Sequence, residues 1–279
     1  MKTLTLATFR GLGQVMLQNH AGTGLLFAIG IALNSPGMAL AAVLGSLLGA
    51  LIARWLRASE SDIREGLYGF NGVLIALAVS LFDLSCIPLL AGGLGLILSV
   101  LLFRELKRRG IPAFTSPFVV ITWGIFALLP VAGIHPRPEA RPIFLGGELL
   151  LIEGIPQGFG QVMFQGDIWT EFLFIAGVFW SSRVAAIWGL IGSSEAILTG
   201  LLFGWPRETL LMGIYGFNAV LTGIALGNSF RDWVIPVAGI GLAILIMKLM
   251  LLGQLPTLTA PFILATWAMI GVRNWRAAH

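Results

Sequence analysis

The chain is poor in charge: only 11% of its 279 residues are Asp, Glu, Lys or Arg, against 57% hydrophobic. Soluble domains carry about 25% charged residues, so this scarcity excludes a water-soluble globule of this size. Cysteine is reduced to Cys86, inside an apolar stretch, which excludes a disulfide framework and a thiolate metal cluster. The three histidines are His20, His135 and His279. None belongs to a recurring motif, so a nucleophile–base pair or metal centre has little to be built from. The small basic excess, 17 Lys and Arg against 13 Asp and Glu, is not a nucleic-acid signal, because in a membrane protein basic residues mark the cytoplasmic loops. The opening stretch MKTLTLATFRGLGQVM has no small-residue cleavage site after a clean apolar core, and does not read as a removable signal peptide.

What is present is apolar sequence in runs, at a mean hydropathy of +0.92. A spanning helix takes roughly 20 residues plus a turn, so the length allows about ten crossings. The runs predict spans near 11–33, 37–56, 67–82, 86–103, 113–130, 157–180, 184–203, 210–228, 233–252 and 257–272. Most boundaries carry Pro, Asn or clustered charge, as at Asn34-Ser35-Pro36 and Arg104 to Pro112. The longest polar connection, 131–156, holds His135-Pro136-Arg137-Pro138-Glu139 and divides the chain into a first half, 1–130, and a second half, 157–279.

The halves repeat each other. Gly11-Leu12-Gly13-Gln14-Val15-Met16-Leu17-Gln18 recurs 147 residues later as Gly158-Phe159-Gly160-Gln161-Val162-Met163-Phe164-Gln165. Tyr68-Gly69-Phe70-Asn71-Gly72-Val73-Leu74 recurs at the same offset of 147 as Tyr215-Gly216-Phe217-Asn218-Ala219-Val220-Leu221. Pro112-Ala113-Phe114-Thr115-Ser116-Pro117-Phe118 recurs 144 residues on as Pro256-Thr257-Leu258-Thr259-Ala260-Pro261-Phe262. Three ordered matches of this length indicate internal duplication.

Charge orients the halves. With the N-terminus inside and ten spans, 13 basic residues fall on inner loops and ends, and only Arg137, Arg141, Arg207 and Lys248 fall outside. Five spans per half is an odd number, so the second half inserts upside down. The equivalent loops agree, since Arg104–Gly110 carries four basic residues and its counterpart, Lys248–Gln254, carries one. The expected fold is an all-α polytopic membrane protein, an inverted repeat of two five-helix halves with both termini cytoplasmic. Folds of this kind place the site near mid-membrane, where non-helical backbone lines a cavity.

The duplicated motifs hold Gln, Asn, Thr, Phe and Tyr but no recurring Asp, Glu, Lys or His. Amides, hydroxyls, carbonyls and phenyl rings suit a small neutral polar solute that both donates and accepts hydrogen bonds. Phenyl rings spaced as a slot select a flat molecule and leave ions no compensation for their lost hydration.

These segments resemble the urea transporter family. Leu255-Pro256-Thr257-Leu258-Thr259-Ala260-Pro261-Phe262 is similar to its duplicated Leu-Pro-x-x-Thr-x-Pro-Phe signature, and the first copy departs only in opening with Ile111. The resemblance runs over essentially the whole chain. It implies a channel-like facilitator passing urea down its gradient through each protomer of a homotrimer. It also implies that each half adds a re-entrant half-helix to its five spans, expected around 61–71 and 208–218. Carried over by position, Gln14 and Gln161 match the polar ends of the selectivity region, with Val15 and Val162 as wall residues. Phe164 matches a ring that sandwiches urea. Leu17 stands where the family has a second such ring, which implies a wider or greasier slot at the inner mouth. Phe70 with Leu74, and Phe217 with Leu221, match further wall positions, and Thr115 and Thr259 match the central threonines. Backbone carbonyls beside the prolines are expected to add a ladder of acceptors.

Plainer readings stand beside these. A membrane-buried Phe usually packs, a helical Thr commonly bonds its own preceding turn, and Gln is frequent interhelical glue. Asn71 and Asn218 read as caps on broken backbone. Six tryptophans, Trp55, Trp123, Trp180, Trp205, Trp267 and Trp275, are expected near span ends as an interfacial belt. Glu171 and Glu195 lie in apolar runs, opposite Gly24 and Leu48 of the first half. An intramembrane acid is a functional candidate, and an ion- or proton-coupled carrier of another small neutral amide or polyol would depend on one of them. No enzyme, metal or cofactor is implied. The expected partners are urea, membrane lipids and further copies of the chain, without nucleic acid. Compact loops and bare termini imply a bacterial inner membrane.

Overall fold

A computed structural model of the protein describes residues 2–137, 150–229 and 232–278. Pro138, Glu139, Arg141 and His279, named above, and Arg231, one of the 13 inner basic residues, lie outside the described residues. The chain divides into two units, Met1–Arg141 and Pro142–His279.

In the first unit the helices are α1 (Lys2–Gln14), α2 (Ala21–Asn34), α3 (Pro36–Trp55), α4 (Glu60–Arg64), α5 (Phe70–Val79), α6 (Cys86–Arg108) and α7 (Ser116–Val131). In the second they are α8 (Leu150–Gly160), α9 (Ile168–Ser181), α10 (Arg183–Leu202), α11 (Arg207–Leu211), α12 (Gly216–Gly227), α13 (Val234–Leu252) and α14 (Ala260–Ala278), with a short 3-10 turn at Gln161–Met163 between α8 and α9. Helix α8 begins at Leu150, inside the connection expected at 131–156.

The run expected as one span at 11–33 is two helices, α1 and α2. The run at 157–180 is likewise α8 and α9, bent by 79° at their break. The cause is local: Leu17 and Phe164 both take left-handed backbone, at φ 60° and 57°, which no α-helix continues through. Among the described residues α3, α6, α10 and α13, and the stretch Arg207–Gly227 that joins α11 to α12, are each long and apolar enough to cross a membrane, which makes five candidate spans, or six if the bent pair counts as one. Helix α5 has ten residues, a rise of about 15 Å, half the hydrocarbon thickness. Segments 61–71 and 208–218 hold the five-residue helices α4 and α11 and the turns that follow them.

Each long helix keeps one face for its unit and turns the other outward. On α3, Ala42, Gly45, Ser46, Gly49 and Ala53 are buried while Leu40, Leu44, Leu48 and Leu51 are exposed. Leu90, Leu94, Leu98 and Leu101 of α6 and Leu245, Leu249 and Leu252 of α13 are exposed too. Rows of exposed leucine on this scale need hydrocarbon outside them. The buried faces are small because backbones touch: a Cβ on Gly45 would run into the Gly72 carbonyl, and one on Gly192 into the Ala219 carbonyl. Ser46 Oγ donates to Thr8 O (2.7 Å) and Ser193 Oγ to Ile155 O (2.8 Å), tying α3 to α1 and α10 to α8. Trp55, Trp180 and Trp275 sit exposed near helix ends, whereas Trp123 and Trp267 fall in mid-helix, outside the belt expected of them.

Candidate functional site

The first duplicated motif makes an elbow. After α1 ends at Gln14, Gln18 N–H reaches back to Gly13 O (3.0 Å), and the buried Gln18 side chain donates to Met16 O (2.8 Å). The second copy repeats this, with Gln165 N–H on Gly160 O (3.0 Å) and Gln165 Nε2 on Met163 O (2.8 Å). The closing glutamine of each motif therefore holds the turn that forces Leu17 and Phe164 left-handed, a strain of about 1–2 kcal/mol for a residue with a Cβ. The next helix is then capped, by His20 Nδ1 on Thr23 N–H (3.2 Å) and by Asp167 Oδ1 on Thr170 N–H (3.1 Å).

Of the elbow residues expected in the site, Val15 and Val162 are buried, while Gln14, Leu17, Gln161 and Phe164 are half-buried. Gln14 Nε2 donates to Glu65 O (3.1 Å), and Arg10 just before it donates to Arg64 O (3.0 Å). These bonds bring the end of α1 onto the segment leading into α5. Gln161 makes no corresponding side-chain bond among the described residues.

The second and third motifs meet through asparagine. Phe118 N–H donates to Asn71 Oδ1 (3.0 Å) and Asn71 Nδ2 lies 3.5 Å from Phe114 O. In the other unit Phe262 N–H donates to Asn218 Oδ1 (3.0 Å), and Asn218 Nδ2 donates to Leu258 O (3.0 Å). Each amide spans the turn in which Phe114 or Leu258 stands left-handed, at φ 44° and 43°. That turn sets Thr115 and Thr259, both buried, at the starts of α7 and α14. The first-turn backbone donors are already used: Ser116 N–H bonds Ala113 O, Val119 N–H bonds Thr115 O, and Pro117 has none. The same holds for Ala260, Ile263 and Pro261, so any donor offered there must be a side chain. The carbonyl ladder is likewise part-occupied, since Ala113, Thr115, Thr257 and Thr259 each accept a backbone bond.

Leu74 and Leu221 are fully buried. Phe70 is buried edge-on against Phe103, with ring centroids 5.7 Å apart, whereas Phe217 is half-buried against the cluster around Tyr215 and Met247. Each unit thus gathers its own three motifs: elbow against the α4–α5 or α11–α12 segment, and that segment's helix against the threonine turn. The residue types that do the joining were only partly legible. Ser46 and Ser193 recur in a Gly-Ser pair at an offset of 147, a signal the motif reading passed over.

The acids differ. Glu171 is 1% exposed and neither carboxyl oxygen has a partner among the described residues. Glu195 borders an apolar groove of about 510 Å³ with Ser194 and Thr199. Arg183 lies over the Phe179 ring at 5.7 Å and forms no ion pair with Glu195 among the described residues. Charge pairs instead gather at helix ends, as where the Arg54 guanidinium at the end of α3 holds the exposed Glu60 carboxyl of α4 below the usual carboxylate range.

A helical membrane protein whose strained turns are dressed with amides, hydroxyls and phenyl rings rather than charge belongs to the carriers and channels of small polar solutes. The particular class follows from comparison. A sequence profile described as "UT: Urea transporter" matches residues 5–274, and the chain belongs to the urea transporter family. It is similar to Urea transporter 1 of Mus musculus, 26% identical over 283 residues that cover 92% of this chain and 74% of that protein. Urea transporter 1 of Ovis aries is 26% identical over 287 residues with the same coverage of 92% and 74%. The Rattus norvegicus protein of that name is 25% identical over 241 residues, 79% of this chain and 62% of that one.

Proposed function

We propose that the protein conducts urea passively across a membrane, along a path lined in each half by Gln14, Val15, Leu17, Phe70, Leu74 and Thr115, and by Gln161, Val162, Phe164, Phe217, Leu221 and Thr259. Family membership over residues 5–274 carries the substrate. The lack of charge in all three duplicated motifs supports a neutral solute. Urea offers one carbonyl acceptor and four N–H donors, and threonine hydroxyls and glutamine amides answer both. Valine, leucine and phenyl walls make the path too dry for an ion. The halves insert as an inverted pair with cytoplasmic termini, in a bacterial inner membrane, and three copies associate.

Light-scattering flux in proteoliposomes tests the reading, comparing urea, thiourea, formamide and glycerol with and without a pH gradient. Urea flux independent of the gradient, and slowed in Thr115→Val and Thr259→Val, is the expected result. Saturating, gradient-driven uptake of glycerol but not urea would overturn it. The buried, unpartnered carboxyl of Glu171 favours a second reading, a proton-coupled carrier. Acceleration by the gradient that is lost in Glu171→Gln would select that one.

A further inference from the structure

Thr122 of α7 and Thr266 of α14 are fully buried, and each hydroxyl is without a hydrogen-bond partner among the described residues. They stand 144 residues apart, the offset of the threonine motif itself, and each is followed by tryptophan. Other hydroxyls in helices, or just past a helix end, behave differently. Thr8, Ser80, Thr222 and Ser229 donate to the carbonyl four residues back at 2.7–3.0 Å, and Ser99 to the one three back at 2.8 Å. The Thr122 and Thr266 hydroxyls make no such bond to the carbonyls of Phe118 and Phe262. A buried hydroxyl with nothing to bond is destabilising, and here the condition occurs twice, at one register position.

That position is informative. Seven residues separate Thr115 from Thr122 and Thr259 from Thr266. At 100° per residue the second threonine lies about 20° from the first, on the same helix face and about 10 Å farther along. The positions between them on that face hold Phe118 and Val119 in α7, and Phe262 and Ile263 in α14, all buried. Each helix thus presents a stripe of hydroxyl, phenyl ring, branched aliphatic and hydroxyl. The Asn71 and Asn218 clamps hold the stripe's rotation by fixing Phe118 N–H and Phe262 N–H.

We propose that Thr122 and Thr266 are further solute-binding hydroxyls of the transport path, two turns beyond Thr115 and Thr259. This rests on the reading that those two threonines line the path. A hydroxyl offers one donor and two acceptor lone pairs, so a flat amide solute meets a partner for its carbonyl or its N–H groups when it leaves the central threonines.

The test uses full-length protein in proteoliposomes. Thr122→Val and Thr266→Val keep the branched shape and remove the hydroxyl, while Thr122→Ser and Thr266→Ser keep the hydroxyl. The valine variants are expected to conduct urea about fivefold more slowly, the worth of one hydrogen bond, and the serine variants to stay within about twofold of the parent. Wild-type flux in both valine variants overturns the proposal. So does an equal loss in serine and valine, which marks packing. Where a valine variant fails to assemble, Thr122→Cys in a Cys86→Ser background replaces it. Slower modification of its thiol by a small alkylating reagent when urea is added supports contact, and unchanged modification overturns it. Absence of urea flux in the parent protein would instead defeat the transport reading, and normal flux in Thr115→Val would defeat the pore assignment beneath this one.

Discussion

The two asparagine clamps provide a matched pair for measurement. Asn218 makes two well-formed bonds, at 3.0 Å to Leu258 O and 3.0 Å from Phe262 N–H, and is fully buried. Asn218→Leu keeps the branching at Cγ and the number of heavy atoms, and strands one buried carbonyl and one buried N–H. At about 1–3 kcal/mol for each unsatisfied group, less some added apolar contact, the loss is about 3 kcal/mol. Asn71 makes one comparable bond, at 3.0 Å, while its second contact is 3.5 Å, at the edge of hydrogen-bonding range. Asn71→Leu should therefore cost about 2 kcal/mol. In thermal unfolding followed by tryptophan fluorescence in detergent, these values correspond to midpoint drops of about 6–10 °C and about 4–7 °C. A larger drop in Asn71→Leu than in Asn218→Leu would refute the reasoning. So would a change below about 1 °C in both, because the left-handed turns at Phe114 and Leu258 would then hold without their clamps.

The elbow makes a different prediction. Leu17→Phe restores the ring at the position matched by Phe164 and should alter discrimination between urea and thiourea; an unchanged flux ratio removes Leu17 from the path. Gln14 is tied to Glu65 O at 3.1 Å, so Gln14→Ala should lower the unfolding midpoint as well as flux, whereas Gln161→Ala should lower flux alone. Equal midpoints for the two would contradict that distinction. Glu171→Gln removes a buried ionisable group that has no partner, and burying an unpaired charge is unfavourable. Its unfolding midpoint at neutral pH should equal or exceed the parent's, and a fall of several degrees would mean that the carboxyl has a stabilising partner. Gly192→Val should abolish assembly, since its Cβ would meet the Ala219 carbonyl; a normal elution profile would show that α10 and α12 can separate.

Composition alone placed the chain in a bilayer, because 11% charge leaves too few residues to cover a surface in water. Pattern alone found three motifs twice and noticed that none carries charge. Those are properties of residue type and spacing, and they need no partner to be read. The breaks at Leu17 and Phe164 were different. Both lie in apolar runs that would continue as helix, and left-handed leucine or phenylalanine has no sequence signature of the kind glycine provides. They exist because Gln18 and Gln165 bond back across the turn. The asparagine clamps join residues 40 to 47 positions apart, a separation at which periodicity says nothing. The isolation of the Thr122 and Thr266 hydroxyls was also beyond the sequence, which predicts the usual bond to the preceding turn. Residue type determined the solvent and the chemistry on offer. Only the tertiary structure decided which donors and acceptors were consumed in holding the backbone and which were left over, because hydrogen-bond satisfaction depends on neighbours the chain meets after it folds.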